Sequence, residues 1–200
     1  MTETEWLQTG ALAAGAVAVS GAIYAVARWM RKVDALFPEA AKKYGLTFTP
    51  EQRGSAFTNV VQSCRLRGVA NGTPLEVIAT YETRGRSRMR STLVATQAPA
   101  GLPPCTMNIL RQPPAAKMHL VPTGDAQFDS QRWVTSDAPA VVRAVLTPAV
   151  RTELLRCPQS ELRLVVTEGH LVLSFPNTPV NEVELHGPMD VVLAAANKAP

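Results

Sequence analysis

Cysteine and histidine, which supply disulfides and many metal sites, are scarce in this chain of 200 residues. It holds three of each. Cys64, Cys105 and Cys157 are far apart, odd in number, and form no Cys-x-x-Cys pair. We therefore expect no disulfide framework and no zinc site, and we interpret the cysteines as thiols in a reducing compartment. The sequence predicts neither a bound metal nor a cofactor.

The sequence also lacks the short motifs of hydrolases, zinc proteases and nucleotide-binding proteins. His119, His170 and His186 lie on separate predicted elements. Asp125 and Asp129 are four residues apart, but a cation site needs several more oxygen ligands. We interpret Asp125 as a turn residue and Asp129 as a capping group or the start of a strand. An enzyme therefore has no positive support, although the fold can gather dispersed residues; a polar pocket around His119, His170 or Asp125 would favour that alternative.

Long apolar runs are also scarce, and the only one that could span a bilayer is Leu7–Ala27, which contains no Asp, Glu, Lys, Arg or His. About 20 apolar residues cross the roughly 30 Å hydrocarbon core as a helix. The flanking charges are acidic before the run and basic after it: Glu3, Glu5, Arg28, Arg31 and Lys32. Because basic flanks stay in the cytoplasm, we predict a single-pass membrane span, with the amino terminus outside and the following domain in the cytoplasm.

Two other interpretations of this run are open. A cleaved signal peptide would account for Ala25-Val26-Ala27, although the acidic start argues against it. A buried helix of a soluble protein is the other. If the run spans a membrane, the series Gly10, Ala14, Ala18 and Ala22 gives a face of small residues that allows self-association; an Ala-rich helix also shows such a series by chance.

The chain divides by pattern into residues 1–32 as anchor and flanks, 33–45 as an amphipathic linker helix, and 46–200 as a single domain. Apolar residues recur at helical spacing in the linker: Val33, Leu36, Phe37, Ala40, Ala41 and Tyr44. Gly45 follows as a stop signal. Such a helix either lies on anionic lipid or packs on the domain that follows.

From Leu46 onward the pattern changes to that of strands and short helices. Predicted strands are Leu46–Thr49, Val60–Val69, Leu75–Thr83, Met89–Ala98, Thr106–Arg111, Met118–Val121, Arg132–Thr135, Leu162–Thr167 and Leu171–Phe175. Predicted helices are Pro139–Leu146, Pro148–Arg156 and Met189–Asn197. Because strands and helices do not alternate regularly, we predict an α+β fold: one mostly antiparallel sheet with two or three packed helices.

The run from Gly124 to Arg156, followed by Leu162 to Asn177, resembles the bacterial family catalogued as domain of unknown function 3137. The matching positions are Phe128, Trp133, Leu146, Thr147, Pro148, Leu154 and Gly169. These are turn, cap and core positions, and none is a catalytic signature. The resemblance implies a membrane-associated bacterial protein without assigned biochemistry.

The most distinctive polar stretch has arginine at alternate positions: Arg84, Arg86, Arg88 and Arg90. Alternate residues of an extended strand point the same way, and guanidinium groups suit phosphate and carboxylate. This pattern predicts binding to anionic lipid or an acidic protein. Nucleic acid is not expected, because Tyr81 is the only aromatic residue nearby. The alternative is a solvated hairpin whose like charges discourage pairing between sheet edges.

Together these features favour a membrane-anchored cytoplasmic module that binds a partner without catalysing a reaction. The lipid bilayer is the expected partner of Leu7–Ala27, and another protein is the expected partner of the domain. A membrane-surface enzyme built from dispersed residues and an anionic-lipid-binding domain that uses the arginine stretch are the alternatives.

Overall fold

The architecture is taken from a computed structural model that describes residues 35–53, 60–84, 87–114, 119–167 and 169–197. The predicted span, its charged flanks and the small-residue series lie in residues 1–34, outside this description. None of the helices described is long and apolar enough to cross a bilayer.

The fold is built on one eight-stranded sheet in which all neighbouring strands are antiparallel. The strands are β1 (Leu46–Arg53), β2 (Val60–Ala70), β3 (Thr73–Arg84), β4 (Ser87–Gln97), β5 (Cys105–Leu110), β6 (Trp133–Ser136), β7 (Glu161–Thr167) and β8 (His170–Pro176). Their order across the sheet is β1-β2-β3-β4-β8-β7-β5-β6. The predicted α+β class with an antiparallel sheet is confirmed.

The three consecutive strands predicted between Val60 and Ala98 are confirmed as β2, β3 and β4, and the residues of the turn explain the first connection. Asn71 and Gly72 join β2 to β3 with φ angles of 52° and 78°, which these two residue types tolerate better than others. β7 and β8 likewise form the predicted hairpin, with Gly169 at φ 77°.

The strand predicted at Met118–Val121 is reduced, in the residues described there, to a bridge with β6 that is flanked by two backbone hydrogen bonds, from Val121 to Val134 and from Ser136 to His119. Leu120 forms only an isolated bridge to Thr135 of β6. Pro122 follows and has no amide hydrogen to continue a ladder, so the segment stays irregular.

One face of the sheet forms the core. The strand register aligns a fully buried row from five strands: Val77, Val94, Leu173, Leu164 and Met107. Burying each such side chain stabilises the fold by about 1.5–3 kcal/mol. Residues at the intervening positions of the same strands, such as Ile78 and Leu93, are half-buried.

Five helices are described: α1 (residues 35–44), α2 (Ala126–Asp129), α3 (Pro139–Val145), α4 (Pro148–Arg156) and α5 (Glu182–Ala196). Helix α1 corresponds to the predicted linker helix, and α3, α4 and α5 correspond to the three helices predicted in the domain, so only α2 is additional. In α1, Leu36, Phe37, Ala40 and Ala41 are buried in the same core as the sheet residues. The apolar stripe of the predicted linker helix therefore packs on the domain.

Helices α3 and α4 begin at their predicted residues, and local sequence signals explain both starts. Each has proline in its first turn, where the missing amide hydrogen costs nothing. Thr147 caps α4 by accepting a hydrogen bond from the backbone N–H of Val150.

Helix α5 begins seven positions before its predicted start at Met189. Its cap is Asn181, whose side chain accepts a hydrogen bond from the N–H of Glu184. Gly187-Pro188, just before the predicted start, is a local signal for a helix boundary, yet Pro188 lies inside the helix. Within a helix, proline leaves the carbonyl four residues earlier without its usual donor.

A side chain from outside the helix supplies that donor. The Gln159 Nε2 atom donates to the Glu184 carbonyl at 2.7 Å. Gly187 meanwhile allows close packing, since an added Cβ would lie 3.3 Å from Pro158 Cδ and 3.4 Å from Cys157 Cα. The Gly-Pro pair is thus accommodated by the loop between α4 and β7.

Candidate functional site

The arginine stretch lies where β3 and β4 extend beyond the neighbouring strand. β4 pairs with β3 from Ser87 onward but with β8 only from Ser91 onward. Positions 87–90 therefore continue past the last pair with β8. We call this end of the sheet, which carries the β3–β4 turn, the hairpin end.

The strand register separates the arginine positions. Arg88 pairs with Thr83 and Arg90 with Tyr81, whereas Arg84 pairs with Ser87. Positions 88 and 90 share a face because they are two apart on one strand. Position 84 pairs with position 87 and so falls on the opposite face of the sheet. The prediction that the alternate arginines share one face is therefore wrong for Arg84, because the chain reverses direction between β3 and β4; position 86 lies outside the described residues.

Arg90 lines a cleft of about 360 Å³ at the hairpin end. We call it the Arg90 cleft; its other walls are the end of β8, segments 158–160 and 177–180, and Glu184. The Thr178 hydroxyl is buried there without a hydrogen-bond partner among the described residues. The Glu184 carboxylate accepts from the Val180 N–H at 2.9 Å and from Asn181 Nδ2 at 2.8 Å. The acid is thus engaged in capping α5, and Arg90 supplies the positive charge of the cleft wall.

Arg132 secures the loop behind this cleft. Its side chain is 2 % exposed and donates to the carbonyls of Gln159 at 2.7 Å, Leu154 at 2.7 Å and Cys157 at 2.6 Å. Arg111 donates to the same Cys157 carbonyl at 2.8 Å. Burial, with repulsion from Arg111, lowers the pKa of Arg132 to about 10, which leaves it charged at neutral pH.

Cys157 is held as a neutral thiol. Its Sγ donates to Gln159 Oε1 at 2.8 Å, and burial raises its pKa to about 11. A thiolate is the reactive form of cysteine, so this environment does not activate Cys157 near neutral pH. No disulfide joins Cys64, Cys105 and Cys157, all of which the structure describes.

A polar contact between α1 and α5 was not anticipated from the sequence. Tyr44 donates its hydroxyl hydrogen to Asp190 Oδ1 at 2.9 Å, and Lys43 Nζ lies 3.0 Å from His186 Nδ1. Because an ammonium group can only donate, Nδ1 accepts and the ring proton lies on Nε2. That atom is buried with no partner in the described part of the chain.

The pKa values at this contact follow from burial and neighbouring charge. Burial, followed by the charge of Asp190, raises the pKa of the Tyr44 hydroxyl above its ordinary value. Burial and the Lys43 ammonium lower the pKa of His186. The only sequence signal for this contact was the spacing of His186 and Asp190, four residues apart on a helix whose start was misplaced.

The residues named for the enzyme alternative lie at three different places. His119 is exposed, and its carbonyl accepts from the Ser136 N–H on β6. His170 is exposed at the start of β8. Asp125 caps α2 by accepting from the N–H groups of Gln127 and Phe128.

Asp125 and Asp129 serve local structure. Hydrogen bonding from the Phe128 N–H, together with Arg151 3.0 Å away, lowers the pKa of Asp125. The Asp129 carboxylate accepts from the N–H and the hydroxyl of Thr123. Among the residues described, no group of three or more His, Cys, Asp and Glu could hold a metal ion.

Comparison with known proteins adds one distant structural likeness. No family model matches the chain, so the resemblance to domain of unknown function 3137 stays a prediction. No curated protein matches it either. The crystal structure of the mycobacterial trehalose monomycolate transport factor A is 13 % identical with a TM-score of 0.46, over 82 % of this chain and 92 % of that one. Any functional proposal must therefore come from this chain's own residues.

Proposed function

We propose that the protein is a single-pass inner-membrane protein whose cytoplasmic domain is a binding module that docks its hairpin end on anionic lipid headgroups. The observation that carries this proposal is the concentration of Arg84, Arg86, Arg88 and Arg90 at a hairpin that extends past β8. Arg90 also lines a cleft at that end. The membrane tether rests on the apolar run Leu7–Ala27 and on the charges that flank it.

The tether favours lipid over an acidic protein as the partner. A domain attached to a bilayer meets its headgroups at a high effective concentration. Each Lys or Arg near an anionic leaflet contributes about 1 kcal/mol of attraction. Four arginines therefore supply at most about 4 kcal/mol at low salt, and screening shortens the range of this attraction as salt rises.

The alternative of a membrane-surface enzyme has one observation in its favour, because His170 lines a cleft of about 460 Å³ together with Arg67 and Glu76. The buried thiol of Cys157, however, donates to an amide oxygen rather than to a base. An acidic protein partner remains the second candidate, because the same guanidinium groups suit its carboxylates.

Hydrogen exchange of the full chain in lipid nanodiscs tests the proposal. We expect the backbone amides of residues 81–90 to exchange more slowly in discs that contain phosphatidylglycerol than in discs of phosphatidylcholine alone. Replacing Arg84, Arg86, Arg88 and Arg90 with Gln should remove this difference, as should high salt.

A matched control changes the charge equally elsewhere. Arg67, Arg143, Arg156 and Arg163 are all exposed, and replacing these four with Gln should leave the protection in place. Equal exchange of residues 81–90 in the two kinds of disc would contradict the proposal. Equal loss of protection in the two variants would show that net charge alone causes the protection, and would contradict docking through the hairpin end.

A further inference from the structure

A second cleft lies on the other side of the loop that joins α4 to β7. We call it the Trp133 cleft; it measures about 440 Å³ and is lined by Arg111, Ser130, Gln131, Arg132, Trp133 and Leu155. Two of these residues are cationic and none is acidic. Trp133 and Leu155, both half-buried, add apolar surface.

The two arginines of this cleft hold positive charge close together. Both Nη2 atoms lie within 2.8 Å of one acceptor, the Cys157 carbonyl oxygen. Every described hydrogen-bond acceptor of Arg132 is a neutral carbonyl. A buried charge without an opposite charge is costly, and the lowered pKa of Arg132 reflects burial and repulsion from Arg111. An anion in the cleft would relieve both costs.

We propose that the Trp133 cleft binds a small ligand through a carboxylate or phosphate group, held by Arg111 and attracted by the charge of Arg132 in the cleft wall. The planar fork of guanidinium matches the paired oxygens of such groups. The Gln131 side chain offers a further hydrogen-bond donor, and the ring of Trp133 gives an apolar body of the ligand a surface to pack on. This site is separate from the arginine hairpin and goes beyond lipid docking.

Arg132 also has a structural role, because its three hydrogen bonds fix the end of α4 and the loop after it. Arg111 is the better residue to vary, since it is exposed and gives one described hydrogen bond. Arg143, exposed on α3, is the matched control.

Fluorescence of Trp133 reports on the cleft directly. The chain has three tryptophans, Trp6, Trp29 and Trp133, so the full chain with Trp6→Phe and Trp29→Phe carries a single reporter. We expect a saturable change in its emission on titration with inorganic phosphate or with benzoate, at an ionic strength held constant with chloride. Arg111→Gln should weaken the binding about tenfold or more, as expected for a hydrogen bond to a charged group. Arg143→Gln should leave it unchanged.

Two results of the fluorescence titration would overturn the proposal. One is the absence of a saturable response to both phosphate and benzoate; the other is an equal affinity in the Arg111→Gln and Arg143→Gln variants. If Arg111→Gln does not fold, the unfolding temperature of the chain that keeps Arg111 tests the proposal instead, because a bound ligand raises that temperature. An unfolding temperature that neither anion raises above the chloride control would overturn the proposal as well.

Replacing the four hairpin arginines with Gln should leave the affinity measured by Trp133 fluorescence unchanged, which separates this site from lipid docking.

Discussion

His186 lies among charges that set its protonation state. Burial and then the Lys43 ammonium lower its pKa, while Asp190 and Glu182 act in the opposite direction. The ring edge also meets Tyr44, with centroids 5.3 Å apart. Protonation of Nδ1 would remove the acceptor for Lys43 and place two cations side by side.

We therefore predict that acid weakens the contact between α1 and α5. A histidine whose pKa is lower in the folded state takes up its proton more readily when unfolded. Its contribution to stability is present above the ordinary pKa of 6.5 and is lost as the pH falls below that value towards the folded pKa. The unfolding temperature should fall between pH 7 and pH 5, and His186→Asn should reduce this fall. The same fall in His186→Asn and in the exposed control His170→Asn would contradict the assignment.

At the scale of elements, α5 depends on a residue outside itself. Pro188 leaves the Glu184 carbonyl without a helical donor, and the side-chain amide of Gln159 donates to that carbonyl instead. Gln159 also accepts from the Cys157 thiol. One amide thus joins the loop after α4 to the helix that covers the sheet.

A double-mutant cycle measures this dependence. Gln159→Leu should lower the free energy of unfolding by about 1–3 kcal/mol, because it leaves buried polar groups unpaired. In the Pro188→Ala background the loss should be smaller by about 1 kcal/mol, since the restored N–H can bond the Glu184 carbonyl. Denaturant unfolding of the four variants gives the coupling energy, and additive losses would refute the role assigned to Gln159. Gln127→Leu, at an exposed position on α2, should change the stability by less than about 0.5 kcal/mol.

The elements that the sequence predicted well are those whose signals are local. Asn71-Gly72 favours a hairpin turn and Thr147-Pro148 favours a helix start through their own backbone preferences, without help from residues distant in sequence. Helix α5 was misplaced because Gly187-Pro188 locally indicates a boundary, and the donor that permits continuation is distant in sequence. Helix α2 escaped prediction because it is short and because Asp125 indicates a turn as well as a cap.

The clefts were harder to predict than the elements. Arg90 was identified from alternation, but its cleft depends on the end of β8 and the loop after α4 meeting β4. Arg132 was expected only at the start of a strand. Nothing in its neighbours along the chain indicates that its guanidinium is buried on three carbonyls, because those partners follow it by 22 to 27 residues.

At the scale of the whole molecule, both clefts lie at the hairpin end. The register that pairs Ser91 with Pro176, and Leu110 with Glu161, brings the ends of β8 and β5 to the end where β4 begins. Arg90, Arg111 and Arg132 therefore line neighbouring clefts separated by the loop from α4 to β7. In our account, this end meets anionic headgroups while residues 1–32 hold the chain in the bilayer.

Protease access in intact and lysed spheroplasts tests that central claim most directly. The account predicts that the domain is protected until lysis, and that the full-length chain stays in the membrane after an alkaline wash. Digestion of the domain in intact spheroplasts, or release of the chain by the wash, would contradict the cytoplasmic tether on which lipid docking depends.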